Sequence, residues 1–90
     1  VEKKMVNKII SIQPNPTNKV ATIQYNLADD VSGSIIIRDI KGVEKKIVPL
    51  KTNGFNEIML SANDLQAGVY TCELIVNHTI TDSKKIVIQK

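Results

Sequence analysis

Ninety residues with 42% apolar and 23% charged side chains make one compact domain, too short for two cores and too apolar to stay disordered. A net charge of +3, scattered lysines, two Tyr, one Phe and no Trp exclude the basic patch with stacking aromatics that marks a nucleic-acid binder. The single cysteine, Cys72, rules out an intrachain disulfide frame, and no run approaches the ~20 apolar residues of a membrane-spanning helix.

The apolar residues are mostly β-branched, 14 Ile and 9 Val against 5 Leu and 4 Ala, which favours pleated strands over helices. Val1 to Asn7 is polar, lysine-rich and without a period, and residues 1–8 are expected to be the remnant of a linker, with the domain proper over 9–90. The opening at Val1 rather than at Met suggests a piece of something longer. A short strand over 8–13 is stopped by Pro14-Asn15-Pro16, because proline has no N–H for a ladder and fixes φ. Over 19–27 the alternation is clear, with Ala21, Ile23, Tyr25 and Leu27 on one face and Thr22, Gln24 and Asn26 on the other.

Asp29-Asp30 and Ser32-Gly33 form a turn cluster, followed by a strand over 34–40 with Ile35 and Ile37 inward and Arg38 outward. Lys41-Gly42 turns the chain into a strand over 44–50, whose Pro49 points to a sheet edge. Asn53-Gly54 reads as a hairpin turn into a strand over 55–61 with Ile58 and Leu60 on one side. Residues 63–68 are too short for a helix and read as a helical turn closed by Gly68, with Leu65 plugged into the core. A strand over 68–76 aligns Tyr70, Cys72, Leu74 and Val76, and a two-residue turn at Asn77-His78 leads to a last strand over 79–89 that aligns Ile86 and Ile88. About seven strands with regular turn signals predict an all-β fold, a single antiparallel two-sheet sandwich of immunoglobulin-like type without the Cys-Trp-Cys mark.

Catalysis finds no footing. His78, the one imidazole, falls on a turn with nothing converging on it, and Cys72 stands on an apolar face as a small buried hydrophobe. Asp29, Asp30, Asp39, Asp64 and Asp82 do not follow a calcium-loop pattern and are read as turn residues. Asn77-His78-Thr79 matches the glycosylation triplet, but its asparagine is already needed in a hairpin. Lys84, Lys85 and Lys90 suit either an acidic partner or protection of a strand edge. No enzyme, metal or cofactor is expected.

Five segments in order carry a resemblance: Ile12-Gln13-Pro14-Asn15-Pro16-Thr17, Ile23-Gln24-Tyr25-Asn26-Leu27, Ile37-Arg38-Asp39-Ile40-Lys41-Gly42, Leu65-Gln66-Ala67-Gly68-Val69-Tyr70 and the closing Lys84-Lys85-Ile86-Val87-Ile88-Gln89-Lys90. Together they resemble the type A C-terminal sorting domain of the type IX secretion system of Bacteroidetes, over roughly residues 9–90. Lys19, Arg38 and Gln13 depart from that pattern, which often has glycine at the first position and an aromatic at the other two.

The resemblance implies a non-catalytic signal that follows a cargo domain and is recognised by an outer-membrane translocon after passage through the periplasm. A sortase-like cysteine peptidase would then remove it and the cargo would be attached to the surface or released. It assigns Pro14, Asn15 and Pro16 to an opening motif, Asp39 and Gly42 to a mid-domain turn, Gly68 and Tyr70 to a third motif, and Lys85 and Lys90 to the terminal signal. An exposed edge strand is further expected to pair with another copy or with the translocon. The alternative is a non-catalytic adhesion or spacer module, for which the few aromatics offer little to bind sugars.

Overall fold

The computed structural model describes residues 7–29 and 31–90. The linker reading therefore falls mostly outside the described residues, as does Asp30. Seven strands follow in chain order: β1 (Lys8–Gln13), β2 (Val20–Leu27), β3 (Gly33–Arg38), β4 (Glu44–Leu50), β5 (Gly54–Ser61), β6 (Gly68–Val76) and β7 (Thr79–Ile88). They form two antiparallel sheets, β1-β2-β5 and β4-β3-β6-β7. The all-β sandwich expected from the alternation is thus present.

The inward faces are the ones the period predicts. Ala21, Ile23, Tyr25 and Leu27 of β2 face Ile35 and Ile37 of β3, Cys72 and Leu74 of β6, and Ile86 and Ile88 of β7, in one buried core. Burial of such side chains contributes about 1.5–3 kcal/mol each. Leu65 plugs the β5–β6 connection into the same core. In β1, Ile9 and Ile12 are both buried although an odd spacing should put them on opposite faces. The register resolves this: Ile9 pairs with Tyr25 and Ser11 with Gln24, so Ile10 is an extra, bulged residue that resets the alternation. A second shift, in β7 at Thr81, separates the Leu74–Asp82 pair from the Ile75–Ile80 pair.

Two local expectations are corrected. Asn53-Gly54 is not a hairpin turn, because β4 pairs with β3 and β5 with β2, so the segment carries the chain from one sheet to the other. Asn53 is used differently: its Nδ2 donates to the carbonyls of Ala28 (2.6 Å) and Val31 (2.8 Å), tying the two inter-sheet crossings together. Gly68 does not close the preceding turn but opens β6, paired with Ile88. The turn there is Ala62 to Leu65, closed by the Leu65 N–H on the Ala62 carbonyl at 3.1 Å. The predicted edge position of β4 and the Asn77-His78 turn are both present, the latter with φ of 52° and 65° at its two residues, as a tight primed turn requires.

Tyr70 stands at the start of β6, two residues before Cys72, and its hydroxyl donates to the Gln66 carbonyl at 2.6 Å. This is the tyrosine corner of immunoglobulin-like sandwiches, where a ring fills the core and its hydroxyl pins the preceding inter-sheet connection. Tyr70→Phe keeps the ring and leaves the Gln66 carbonyl without its donor. It is expected to lower the unfolding free energy by about 1–2 kcal/mol, read as a lower urea midpoint at unchanged m value. An unmoved midpoint would mean that the corner carries no stability.

Candidate recognition pole

Antiparallel alternation sorts the connections to two ends of the sandwich. At one end lie the start of β1, the β2–β3 and β4–β5 crossings and the Asn77-His78 turn. At the other lie residues 14–19, 39–43 and 62–67 and the C-terminal residues after Ile88. The residues that the resemblance assigned to recognition reach this pole, namely Pro14, Asn15 and Pro16, Asp39 and Gly42, Gly68 and Tyr70, and Lys90, with Lys85 on the approach to it along β7, whereas the segment Ile23 to Leu27 lies within β2 and runs to the opposite end.

The segment from Pro14 to Thr17 is hydrogen-bonded to the outer edge of the terminal strand. Asn15 Nδ2 donates to the Lys85 carbonyl and Asn15 Oδ1 accepts from the Val87 N–H, both at 2.9 Å. Thr17 continues the same edge with its backbone: its N–H donates to the Val87 carbonyl at 3.0 Å and its carbonyl accepts from the Gln89 N–H at 2.8 Å. Pro14 and Pro16 have no N–H to offer, and the Asn15 carboxamide, with one donor and one acceptor, substitutes for a strand residue there. Farther along β7, the Asp82 carboxylate accepts from the Ile9 N–H at 2.8 Å. The terminal strand is accordingly held on both sides, by β6 and by this clamp, rather than offering a free edge. Thr17, buried at 3% exposure, was missed as a site residue; its buried hydroxyl donates to the Val20 carbonyl.

Asp39 organises the next segment. Its carboxylate Oδ1 accepts from the N–H groups of Lys41 and Val43, both at 2.9 Å, while its carbonyl accepts from the Gly42 N–H. Gly42 adopts φ of 86°, the left-handed step that completes this turn with its one-residue bulge. The Val43 N–H first, then that of Lys41 and the nearby Lys45 and Lys41 charges, hold the Asp39 carboxyl below the usual aspartate range. A depressed pKa means that this contribution is present above the unfolded-state value and is lost as pH falls through the folded-state one. The Lys41 and Val43 amide shifts are therefore expected to titrate together at a pH below that of an unconstrained aspartate. A midpoint at the ordinary value would contradict this assignment.

Arg38, at a departure from the family pattern, forms an ion pair with Glu73 at 2.8 Å across β3 and β6. Lys46 reaches Asp64 at 2.9 Å, and Lys90 Nζ donates to the Asn63 carbonyl at 3.3 Å, joining the C-terminus to the β5–β6 connection. Between that connection and the Asp39–Gly42 turn lies a groove of about 350 Å³, flanked by Ile40, whose side chain is 85% exposed. Cys72 is buried, and desolvation, then the Asp82 and Glu73 charges, push its thiol up to about 12, far from a reactive thiolate. His78 lies with Asn77 at the opposite end. Among the described residues no group of three or more His, Cys, Asp or Glu is placed to hold a metal ion.

These features define an immunoglobulin-like sandwich whose distinctive residues build one end of the fold and lock its last strand. The chain belongs to the family described as the secretion system C-terminal sorting domain, which matches residues 11–89. No curated protein matches the chain. Membership marks it as a type IX secretion signal, a cargo tail that works with the secretion machinery in export through the outer membrane to the surface or the medium. Domains of this family are in general not catalysts.

Proposed function

We propose that the pole formed by residues 14–19, 39–43, 62–67 and 88–90 is the face recognised by the type IX outer-membrane translocon. The observation that carries this reading is convergence: motifs separated along nearly the whole chain meet at one end, and Asn15 and Thr17 bond directly to the terminal strand. In this reading Pro14, Asn15 and Pro16 present the terminal strand, Asp39 and Gly42 shape the neighbouring turn, Gly68 and Tyr70 set the β5–β6 connection, and Lys85 and Lys90 supply the exposed cations. The cargo precedes β1 and so hangs from the far end, leaving the recognition pole unobstructed. The domain reaches the translocon from the periplasm, a sortase-like cysteine peptidase cuts in the polar stretch ahead of Ile9, and the cargo is attached to the surface or released.

The test is a comparison of poles. The pair Lys85→Glu with Lys90→Glu reverses charge at the recognition pole, and Lys51→Glu does so at the far one, all on exposed side chains. Secretion of a fused reporter is expected to fall at least tenfold for the first and to persist for the second, with circular dichroism unchanged in both. Equal secretion of the two folded variants would remove the recognition role from this pole.

A further inference from the structure

The turn after β3 holds apolar side chains out in solvent at the recognition pole. Ile40, at 85%, is the most exposed large apolar residue among those described, and Val43 in the same turn is half exposed. Val69, also exposed, lines the same groove as Ile40. The backbone beneath is fixed by Asp39, whose N–H donates to the Val43 carbonyl, whose carbonyl accepts from Gly42 and whose carboxylate accepts from Lys41 and Val43, all at 2.9 Å. Cations surround this turn. Each acid at the pole lies beside one: Asp39 faces Lys45 at 3.9 Å, Asp64 faces Lys46 at 2.9 Å, and Arg38 stands between Glu73 at 2.8 Å and its ladder neighbour Glu44. Lys19, Lys41, Lys85 and Lys90, all exposed, are left in surplus. At the opposite end Lys8 and Lys51 are balanced by Asp29 and Asp82.

We propose that this turn seats the domain on a phospholipid bilayer carrying anionic headgroups, with Ile40 entering the headgroup region and the surplus lysines meeting the phosphates. The inference rests on the reading of this pole as the end turned to the outer membrane, and it names a second surface touched there. Charge complementarity selects an anionic surface, because the unbalanced lysines lie at this end and not at the other. Shape selects a lipid one. Ile40 projects from its turn, and a bilayer takes up a projecting apolar side chain without a matching cavity, as it does for interfacial segments that bury apolar residues below a lysine boundary. The lysine stems lie along the apolar layer while their ammonium groups stay at headgroup level. A turn already fixed by Asp39 loses little conformational freedom on insertion. Each lysine at such a surface contributes about fivefold in affinity and the Ile40 side chain about tenfold or more, so one turn gives reversible binding.

Co-sedimentation of the chain with vesicles of equal parts phosphatidylglycerol and phosphatidylcholine, against vesicles of phosphatidylcholine alone, tests this. Binding to the anionic vesicles only is expected, falling as salt rises from about 0.05 M to about 0.5 M. Ile40→Ser is expected to weaken it about tenfold and Lys41→Gln about fivefold. Phe55→Ser, at an exposed residue of the far end, is expected to leave it unchanged, with the same circular dichroism for all three variants. No binding to either vesicle, equal binding to both, or anionic binding that Ile40→Ser leaves intact overturns the proposal. A fall in reporter secretion for Ile40→Ser without vesicle binding also overturns it and gives the turn to an acidic protein surface. The translocon reading stands or falls separately, on secretion of the reporter with Lys85 and Lys90 reversed in charge.

Discussion

Ile86→Ala is expected to lower the unfolding free energy by about 2–5 kcal/mol, from lost burial and the cavity left behind. Ile86 is fully buried, lies opposite Tyr70 in the β6–β7 ladder, and is flanked by the two residues, Lys85 and Val87, that the Asn15 carboxamide grips. Its loss therefore opens the core where three supports of the terminal strand meet. A chain of 90 residues sits toward the low end of the roughly 5–15 kcal/mol that holds a domain, and from there such a loss leaves a substantial unfolded population at 37 °C and a corresponding fall in secreted reporter. Lys84→Ala, on the same strand but exposed, should stay within about 0.5 kcal/mol of the native chain. Urea unfolding of the two variants makes the comparison, and a cost for Ile86→Ala no greater than that for Lys84→Ala would contradict the packing described.

The second large effect is at Asn15. Asn15→Ala removes one donor and one acceptor and leaves the Lys85 carbonyl and the Val87 N–H without protein partners. The bonds are exposed, so water replaces them in part, and the expected loss is about 1–3 kcal/mol, toward the lower figure. What distinguishes the clamp from a general stability effect is where the loss appears. The Val87 and Gln89 amides should exchange with deuterium about tenfold faster or more, while amides in β2 change only by the global amount. Uniform change across the chain would show that Asn15 does not hold the terminal strand. Retained secretion alongside faster Val87 exchange would separate the clamp from recognition.

Much of this was legible in the sequence because the period-2 alternation in β2, β3, β6 and β7 is regular and β-branched. Ile23, Tyr25, Ile35, Ile37, Leu74 and Ile86 fall inward as their positions dictate. The misreadings have specific causes. Asn-Gly favours a reversal wherever it falls, and nothing local tells a hairpin from a crossing between sheets, which depends on β5 finding β2 rather than β4. The bulge at Ile10 is invisible because an extra residue leaves no mark in composition. Pro14 and Pro16 were legible as strand stoppers, but the use of Asn15 was not, since its partners lie some seventy residues downstream and only the fold brings them together. Thr17 was hidden for the same reason, a polar residue whose burial comes from the arrival of β7.

The sorting role is tested most directly by localising a fluorescent protein that carries residues 1–90 at its C-terminus and a Sec signal peptide at its N-terminus. The fusion is expressed in a type IX-competent bacterium and in a strain lacking the translocon. Delivery to the surface or the medium in the competent strain alone is the expected result. Retention in the periplasm of both strains, with the attached domain shown to be folded by circular dichroism, would contradict it.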